Sequence, residues 1–132
     1  MKNIKRILFV AIVAILTSCA SASIFPISEV VPAAEITAEK VKQGKWNYQI
    51  TLTALNLASP ERLTPAKKMY VIWAVSPSGT IRNVGFFNNI NAEKSIYKAS
   101  FPYEPMEIFI TAEDEEDLCK PNGVEVTRVK LQ

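Results

Sequence analysis

The stretch KMYVIWAVSPSGTIRNVGFF, residues 68–87, decides the fold. Residues 68–76 are apolar at both odd and even positions, the pattern of a central β-strand that is covered on each face. SPSG at 76–79 has Pro at the second position and Gly at the fourth, as in a tight turn. Residues 80–87 then return as a second strand, so the sequence predicts an antiparallel hairpin at the centre of a β-domain.

Period-two alternation extends on both sides of this hairpin. In KWNYQITLTA, residues 45–54, apolar positions 46, 48, 50, 52 and 54 alternate with polar ones, which is typical of a half-buried strand. Further strands are predicted at 34–41, 95–101, 106–112 and 124–131, with room for one helical turn in 57–65. About seven short strands separated by Pro, Gly and Asn predict an all-β fold, an antiparallel β-sandwich of the immunoglobulin-like, Greek-key type.

The first 18 residues have the three parts of a secretory signal. Lys2, Lys5 and Arg6 form the positive part, residues 7–16 (ILFVAIVAIL) form the apolar part, and small residues follow. Ten apolar residues are too few to span a membrane, which needs about 20. We therefore expect residues 1–18 to be a signal peptide that is removed.

LTSC, residues 16–19, resembles the lipobox of bacterial lipoproteins. The resemblance implies that Leu16, Thr17 and Ser18 are the cleavage signal, and that Cys19 carries the lipid and begins the mature chain. Fatty acyl chains such as palmitate contribute about 0.8 kcal/mol per buried methylene, so several chains make a stable membrane anchor. The predicted location is the cell envelope. Ala20, in place of Asp, favours the outer membrane over the inner one.

Residues 20–34, ASASIFPISEVVPAA, are open to two interpretations. Small residues and two prolines without a clear period indicate a tether, which divides the chain into a signal peptide at 1–18, a lipidated Cys and tether at 19–33, and a sandwich at 34–132. Alternatively, Ile24, Phe25 and Ile27 pack onto the sandwich as a first edge strand.

Charge and composition exclude several function classes. The chain has net charge +2, but after removal of residues 1–18 it keeps twelve basic and thirteen acidic residues, a net charge of −1. This gives no basic surface for nucleic acid. The chain has no histidine, which excludes Ser-His-Asp and Cys-His nucleophiles and His-ligated zinc. We predict a protein that is not an enzyme, with no catalytic residue, no cofactor and no structural metal.

An acidic run is the strongest charge feature, formed by Glu113, Asp114, Glu115, Glu116 and Asp117. Carboxylates are the ligands that Ca²⁺ prefers, so the run is a candidate cation site. It lacks the ligand spacing and the glycine of an EF-hand loop, and its alternative interpretation is a solvated loop after a strand.

The aromatic residues and the second cysteine each have more than one interpretation. Trp46, Tyr48 and Tyr103 are candidates for a surface patch that contacts a partner or a glycan, whereas Trp73 on the central strand is expected in the core. Cys119 is either a partly buried residue before the last strand or an exposed thiol that pairs between molecules.

The middle of the chain resembles the extracytoplasmic C-terminal domain of anti-sigma-K-type factors. The resemblance covers about residues 45–131 and is carried by Tyr70, Trp73, Val75, Gly79, Gly85, Phe87, Thr111, Ala112 and Glu113. It implies a β-sandwich outside the cytoplasm that senses or docks. The sigma-binding helical domain of that family has no counterpart here, so inhibition of a sigma factor is not implied.

These patterns predict a membrane-anchored envelope lipoprotein whose sandwich is a non-catalytic binding or structural module. The expected partner is another envelope protein, and an edge strand such as 34–41 would bind it by β-augmentation. The alternatives are a carrier of a small ligand or glycan and, last, a carbohydrate-active enzyme, although one acidic run does not provide the two separated carboxyl groups that glycoside cleavage needs.

Overall fold

The computed structural model describes residues 20–87 and 92–132. The predicted signal peptide and the lipobox residues 16–19 lie outside the described residues. Within the described ranges there are eight strands and one short 3₁₀ helix at Pro60–Arg62. The strands are β1 Ala20–Ile24, β2 Glu35–Lys42, β3 Tyr48–Leu55, β4 Met69–Val75, β5 Ile81–Phe87, β6 Lys94–Phe101, β7 Glu107–Glu113 and β8 Glu125–Lys130.

The strands form two four-stranded antiparallel sheets. Sheet A has the order β1-β2-β3-β6 and sheet B has the order β5-β4-β7-β8. The neighbours β3–β6 and β4–β7 are not consecutive in sequence, because the chain crosses between the sheets, which is the Greek-key connectivity of immunoglobulin-like sandwiches. The predicted fold class, an all-β antiparallel sandwich, is confirmed.

The seven predicted strands are all present, and their ends differ from the prediction by three residues at most. The predicted turn at 76–79 closes the β4–β5 hairpin, where the Ser76 amide donates to the Thr80 carbonyl over 2.9 Å. Gly79 has φ +85°, a conformation that glycine adopts without strain. The predicted helical turn in 57–65 corresponds to the 3₁₀ helix.

The eighth strand, β1, agrees with the alternative interpretation of residues 20–34 as a first edge strand and corrects the tether at 19–33, although Ile24 and Ile27 are exposed. Ala20–Ile24 pairs along its full length with β2, and Phe25 and Val31 are buried in the core. Of the described residues, the sandwich therefore begins at Ala20 and not at residue 34. The sequence signal was weak because ASAS offers small side chains, while pairing to β2 satisfies the backbone hydrogen bonds of the strand.

The position of β1 also corrects the prediction that 34–41 is an edge strand. β2 is hydrogen-bonded to β1 on one side and to β3 on the other, so its backbone is not open to a partner strand. In sheet A the edges are β1 and β6.

The main core lies between the sheets and includes Leu52, Tyr70, Ile72 and Ile110. A second apolar cluster lies on the outer face of sheet B, where Val71, Trp73 and Phe109 are buried beneath Phe86 and Leu118. Sheet B is therefore covered on both faces. This explains why β4 is apolar at every position, and it confirms the expectation that Trp73 is a core residue.

Hydrogen bonds join the two sheets at both sides of the sandwich. On one side the hydroxyl of Ser28, four residues after the end of β1, donates to the carbonyl of Val126 in β8 over 2.6 Å. On the other side the Tyr97 hydroxyl of β6 donates to the Val84 carbonyl of β5. The edge strands are thus held to one another across the sandwich.

Candidate functional site

The candidate partner residues share one end of the sandwich, here called the Ala20 end. Ala20 is level with Val41, and the β2–β3 turn at 43–47 lies beyond it. The β6–β7 loop at 102–106 and the last two residues belong to the same end, since the Leu131 amide donates to the Met106 carbonyl.

Trp46 is the exposed aromatic residue of this end, with 72% of its surface accessible. β3 begins only at Tyr48, so the alternation in 45–54 does not extend to Trp46, and Trp46 lies on the surface as the candidate patch requires. Gly44, with φ +79°, turns the chain, and the Gln43 amide donates to the Asn47 carbonyl over 2.7 Å. This turn points Trp46 away from the core.

Tyr48 and Tyr103 are only half-buried and contribute less surface. The Tyr103 ring packs on Phe101 with 5.7 Å between ring centroids, and it lies partly buried against the main core. Tyr48 borders a shallow depression together with Ala20 and Lys40. The structure therefore brings the three predicted residues to one end, but Trp46 provides most of the exposed aromatic surface.

The lysines of the Ala20 end have two kinds of partner. The Lys40 ammonium forms an ion pair with Glu104 at 2.8 Å. In contrast, the Lys42 ammonium lies 5.8 Å from the centroid of the Tyr48 ring and the Lys45 ammonium 5.7 Å from that of Trp46. Such cation–π contacts leave the charge of Lys42 and Lys45 available to solvent or to a ligand.

The acidic run does not form the predicted cation site. Glu113 is 2% exposed, and its carboxylate accepts hydrogen bonds from the Asn122 and Gly123 amides. Asp114 is paired with Lys67 at 3.4 Å. In the two described ranges, no group of three or more Asp, Glu or Cys side chains converges as a metal ion requires. Glu113 and Asp114, adjacent in sequence, thus have separate partners.

The loop 114–123 instead covers the outer face of sheet B. The Asn83 side-chain amide donates to the Glu116 carbonyl over 2.7 Å and to the Leu118 carbonyl over 3.1 Å. Leu118 is thereby held over the apolar cluster around Trp73. Cys119, the next residue, is exposed, so the interpretation of Cys119 as partly buried is wrong.

An open cleft of about 670 Å³ lies at the opposite end of the sandwich. Its apolar lining includes Val30, Leu63 and Val124, and the cations Arg62 and Lys67 lie at its border. Sequence reasoning missed this cleft because its residues come from three distant segments. The only available signal was the pair of basic residues next to the predicted helical turn.

Two tyrosines have raised pKa values. Burial raises the pKa of Tyr70 to about 12, and its hydroxyl donates to the Ala58 carbonyl over 2.7 Å. Burial also raises the pKa of Tyr97. Both phenols stay protonated at neutral pH and serve as hydrogen-bond donors that hold the fold together.

Comparison with protein-family models, with curated proteins and with solved structures finds no match to this chain. The resemblances to the lipobox and to the anti-sigma-K-type domain stay predictions. No helix in the described ranges has the length and apolar character needed to cross a membrane.

Proposed function

We propose that this chain is a lipid-anchored lipoprotein of the bacterial cell envelope, held in the outer membrane, whose sandwich is a non-catalytic binding module. The observation that carries the proposal is the order of its parts. A basic segment, ten apolar residues and LTSC at 16–19 are followed without a linker by Ala20, the first residue of β1.

The absence of a linker between Cys19 and β1 determines how far from the membrane the proposed module could reach. Consecutive Cα atoms are 3.8 Å apart, so a lipid on Cys19 would hold the sandwich against the bilayer. A tether over 20–34 would have allowed a reach of about 50 Å. The proposed module therefore meets its partners at the membrane surface.

The outer face of sheet A supports a binding role. Ile24 and Ile96 are 79% and 54% exposed, and the register places them in one row across the sheet with Thr37 and Thr53 between them. Two apolar side chains with two threonines between them form a mixed apolar and polar surface that fits another protein. The predicted envelope partner would bind this face, and not by strand pairing with the backbone of β2.

The experiment that tests the proposal compares the two cysteines. Cys19→Ala should abolish incorporation of radiolabelled palmitate and move the protein from the membrane fraction to the soluble fraction. Cys119→Ala is the matched control and should change neither. Mass spectrometry of the wild-type protein should find an N-terminal Cys19 bearing acyl chains. A mature chain that starts elsewhere, or that carries no acyl chain, contradicts the proposal.

A second candidate function, a ligand carrier, is favoured by the cleft opposite the Ala20 end. A cavity of about 670 Å³ with apolar walls and the cations Arg62 and Lys67 fits a small amphipathic ligand with an anionic group. Titration with a fluorescent fatty acid tests this. Binding that is weakened by Arg62→Gln and unaffected by Arg82→Gln supports the carrier, and absence of binding removes it.

A further inference from the structure

The β2–β3 turn extends further from the sandwich than Ala20, the residue that follows the proposed anchor in sequence. Ala20 pairs with Val41, and the hairpin continues through Lys42 to the hydrogen-bonded pair Gln43 and Asn47. At about 3.4 Å per residue, Gln43 lies about 7 Å beyond the level of Ala20, and the residues of the turn lie further still. The headgroup layer of a bilayer is about 5–7 Å thick on each side. A lipid on Cys19 would therefore bring the turn into that layer.

The side chains of the turn have the chemistry of a membrane interface. Trp46 is 72% exposed, and tryptophan is enriched at the level of lipid headgroups because its ring is apolar and its indole N–H is polar. The Lys45 ammonium lies over the Trp46 ring, and the Lys42 ammonium lies over the ring of Tyr48, the first residue of β3. Within the described residues neither forms an ion pair with a carboxylate, whereas Lys40 is neutralised by Glu104. Two ammonium groups without a carboxylate partner, one of them over an exposed indole, complement an anionic phospholipid surface.

We propose that Lys42, Lys45 and Trp46 form a second membrane contact, in which Trp46 lies among the headgroups of an anionic bilayer and the two lysines bind lipid phosphates. The inference rests on the lipid anchor proposed above and adds to it. An acyl chain alone would let the sandwich rotate about its attachment, whereas two contacts fix its orientation. The cleft opposite the Ala20 end is then presented away from the bilayer, and the outer face of sheet A is accessible from the side.

The two tryptophans of the chain make the contact measurable, since Trp46 is exposed and Trp73 is fully buried. The full-length lipidated protein is purified from membranes and reconstituted into phosphatidylethanolamine–phosphatidylglycerol vesicles. A fraction of the lipid carries bromine near the headgroup end of its acyl chains. We expect the bromine to quench the Trp46 emission, and we expect Trp46→Phe to remove the lipid-quenchable emission while the Trp73 emission remains.

The lysine contribution is tested in the same vesicles. Lys42→Gln and Lys45→Gln should each lower the ratio of docked to undocked protein about fivefold, the change expected for one basic residue at an anionic surface. High salt should produce the same loss, because exposed charges are screened beyond about 3 Å at 1 M ionic strength. Lys94→Gln, on β6 at the other end of sheet A, is the matched control and should leave quenching unchanged.

The outcomes separate this inference from the proposal on which it rests. The mass of the N-terminal peptide is measured on the same preparation. Acylated protein with lipid-quenched Trp46 supports the second contact. Acylated protein whose Trp46 is quenched by aqueous acrylamide and not by brominated lipid overturns the second contact alone, and leaves the turn as a site for a soluble partner. A chain without acyl groups overturns both.

Discussion

Glu113 shows how strongly the position of a residue changes its role. It belongs to a run of five acidic residues, but it lies at the end of β7 with its side chain buried. A buried carboxylate is stable only when hydrogen bonds replace its water shell, and the Asn122 and Gly123 amides supply them. A Cβ on Gly123 would collide with the carbonyl group of Ala112, so this position accepts only glycine. Glu113 therefore closes the loop 114–123.

Glu113→Ala should lower the free energy of unfolding by about 2–3 kcal/mol, because two amides lose a charged acceptor. Chemical denaturation followed by fluorescence measures this loss. The native emission of Trp73 should also shift to longer wavelength, since Leu118 would be held less firmly over the ring. Glu115→Ala, on the exposed part of the loop, should change stability by less than about 0.5 kcal/mol. Equal effects of the two variants would show that the loop is not closed by Glu113.

Tyr70 should make the protein sensitive to alkaline pH. Its pKa is about 12 in the folded protein and about 10 in an unfolded chain, so the folded state keeps a proton that the unfolded state releases. Stability is therefore unaffected by this group below pH 10 and falls between pH 10 and 12, by at most about 3 kcal/mol.

Tyr70→Phe checks this at pH 8, 10 and 11.5 by denaturant unfolding. The variant should lose a hydrogen bond to Ala58 at every pH but decline less steeply above pH 10 than the wild type does. Tyr97 also has a raised pKa and is expected to leave a residual decline in the variant. Parallel curves for the wild type and Tyr70→Phe above pH 10 would contradict the assignment.

Among the elements, β1 and the segment after it differ most from the sequence prediction. Period-two patterns identified the other seven strands, because each alternates large apolar and polar side chains or is apolar throughout. In β1 the polar residue Ser23 is buried and the apolar residue Ile24 is exposed. A prediction from hydrophobicity would therefore turn the wrong face of β1 toward the core. Its stability comes from pairing with β2, which depends on residues 13 to 21 positions away and leaves no local signal.

Phe25→Ala tests whether this segment is part of the fold. The Phe25 side chain is buried in the core, and its removal should lower the free energy of unfolding by about 3 kcal/mol. Ile27→Ala is the matched control, because Ile27 is 82% exposed and should change stability by less than about 0.5 kcal/mol. If both substitutions are silent in denaturant unfolding, residues 20–34 behave as the tether first predicted.

The bulge in β5 joins the two sheets at a second place. Gly85 has φ +143° and lies opposite a register shift in β4, and the Tyr97 ring packs directly on it. A Cβ on Gly85 would lie 2.6 Å from Cζ of Tyr97, which is inside van der Waals contact.

Gly85→Ala should therefore cost about 3 kcal/mol or more, from backbone strain and from displacement of the Tyr97 ring. Gly44→Ala is the comparison, because Gly44 also has positive φ but a Cβ there meets no atom within 4 Å. It should cost only about 1 kcal/mol. Thermal unfolding of the two variants separates the cost of backbone strain, present in both, from the cost of the collision with Tyr97, present only in Gly85→Ala. Similar losses of stability in the two variants would show that the Tyr97 ring moves aside freely.

At the scale of the whole molecule, the sequence predicted the sandwich and the central hairpin but not the surfaces at its ends. Hydrophobic periodicity reports which residues face the core, so strands and core residues such as Trp73 could be assigned. The cleft at Arg62 and Lys67 depends on which loops the Greek-key connections bring together, and Val30 and Val124 meet there from segments more than 90 residues apart. Trp46 was recognised as a candidate, but its exposure depends on where the β2–β3 turn begins.

The arrangement of the two ends leads to a prediction about orientation on the membrane. Cys119 lies on the loop that follows β7. The last residue of β7, Glu113, pairs with Met69, whereas Val75 and Glu107 pair at the other end of the same two strands. With Cys19 acylated, Cys119 should react with a bulky, membrane-impermeant maleimide equally fast in vesicles and in detergent. A Lys45→Cys variant in a Cys119→Ser background places the thiol in the β2–β3 turn, and it should react at least several-fold more slowly in vesicles than in detergent. Mass spectrometry of the labelled protein measures both rates. Equal protection of the two thiols would mean that the sandwich lies on its side, with loop 114–123 against the bilayer, and equal reactivity would mean that the turn does not reach the headgroups.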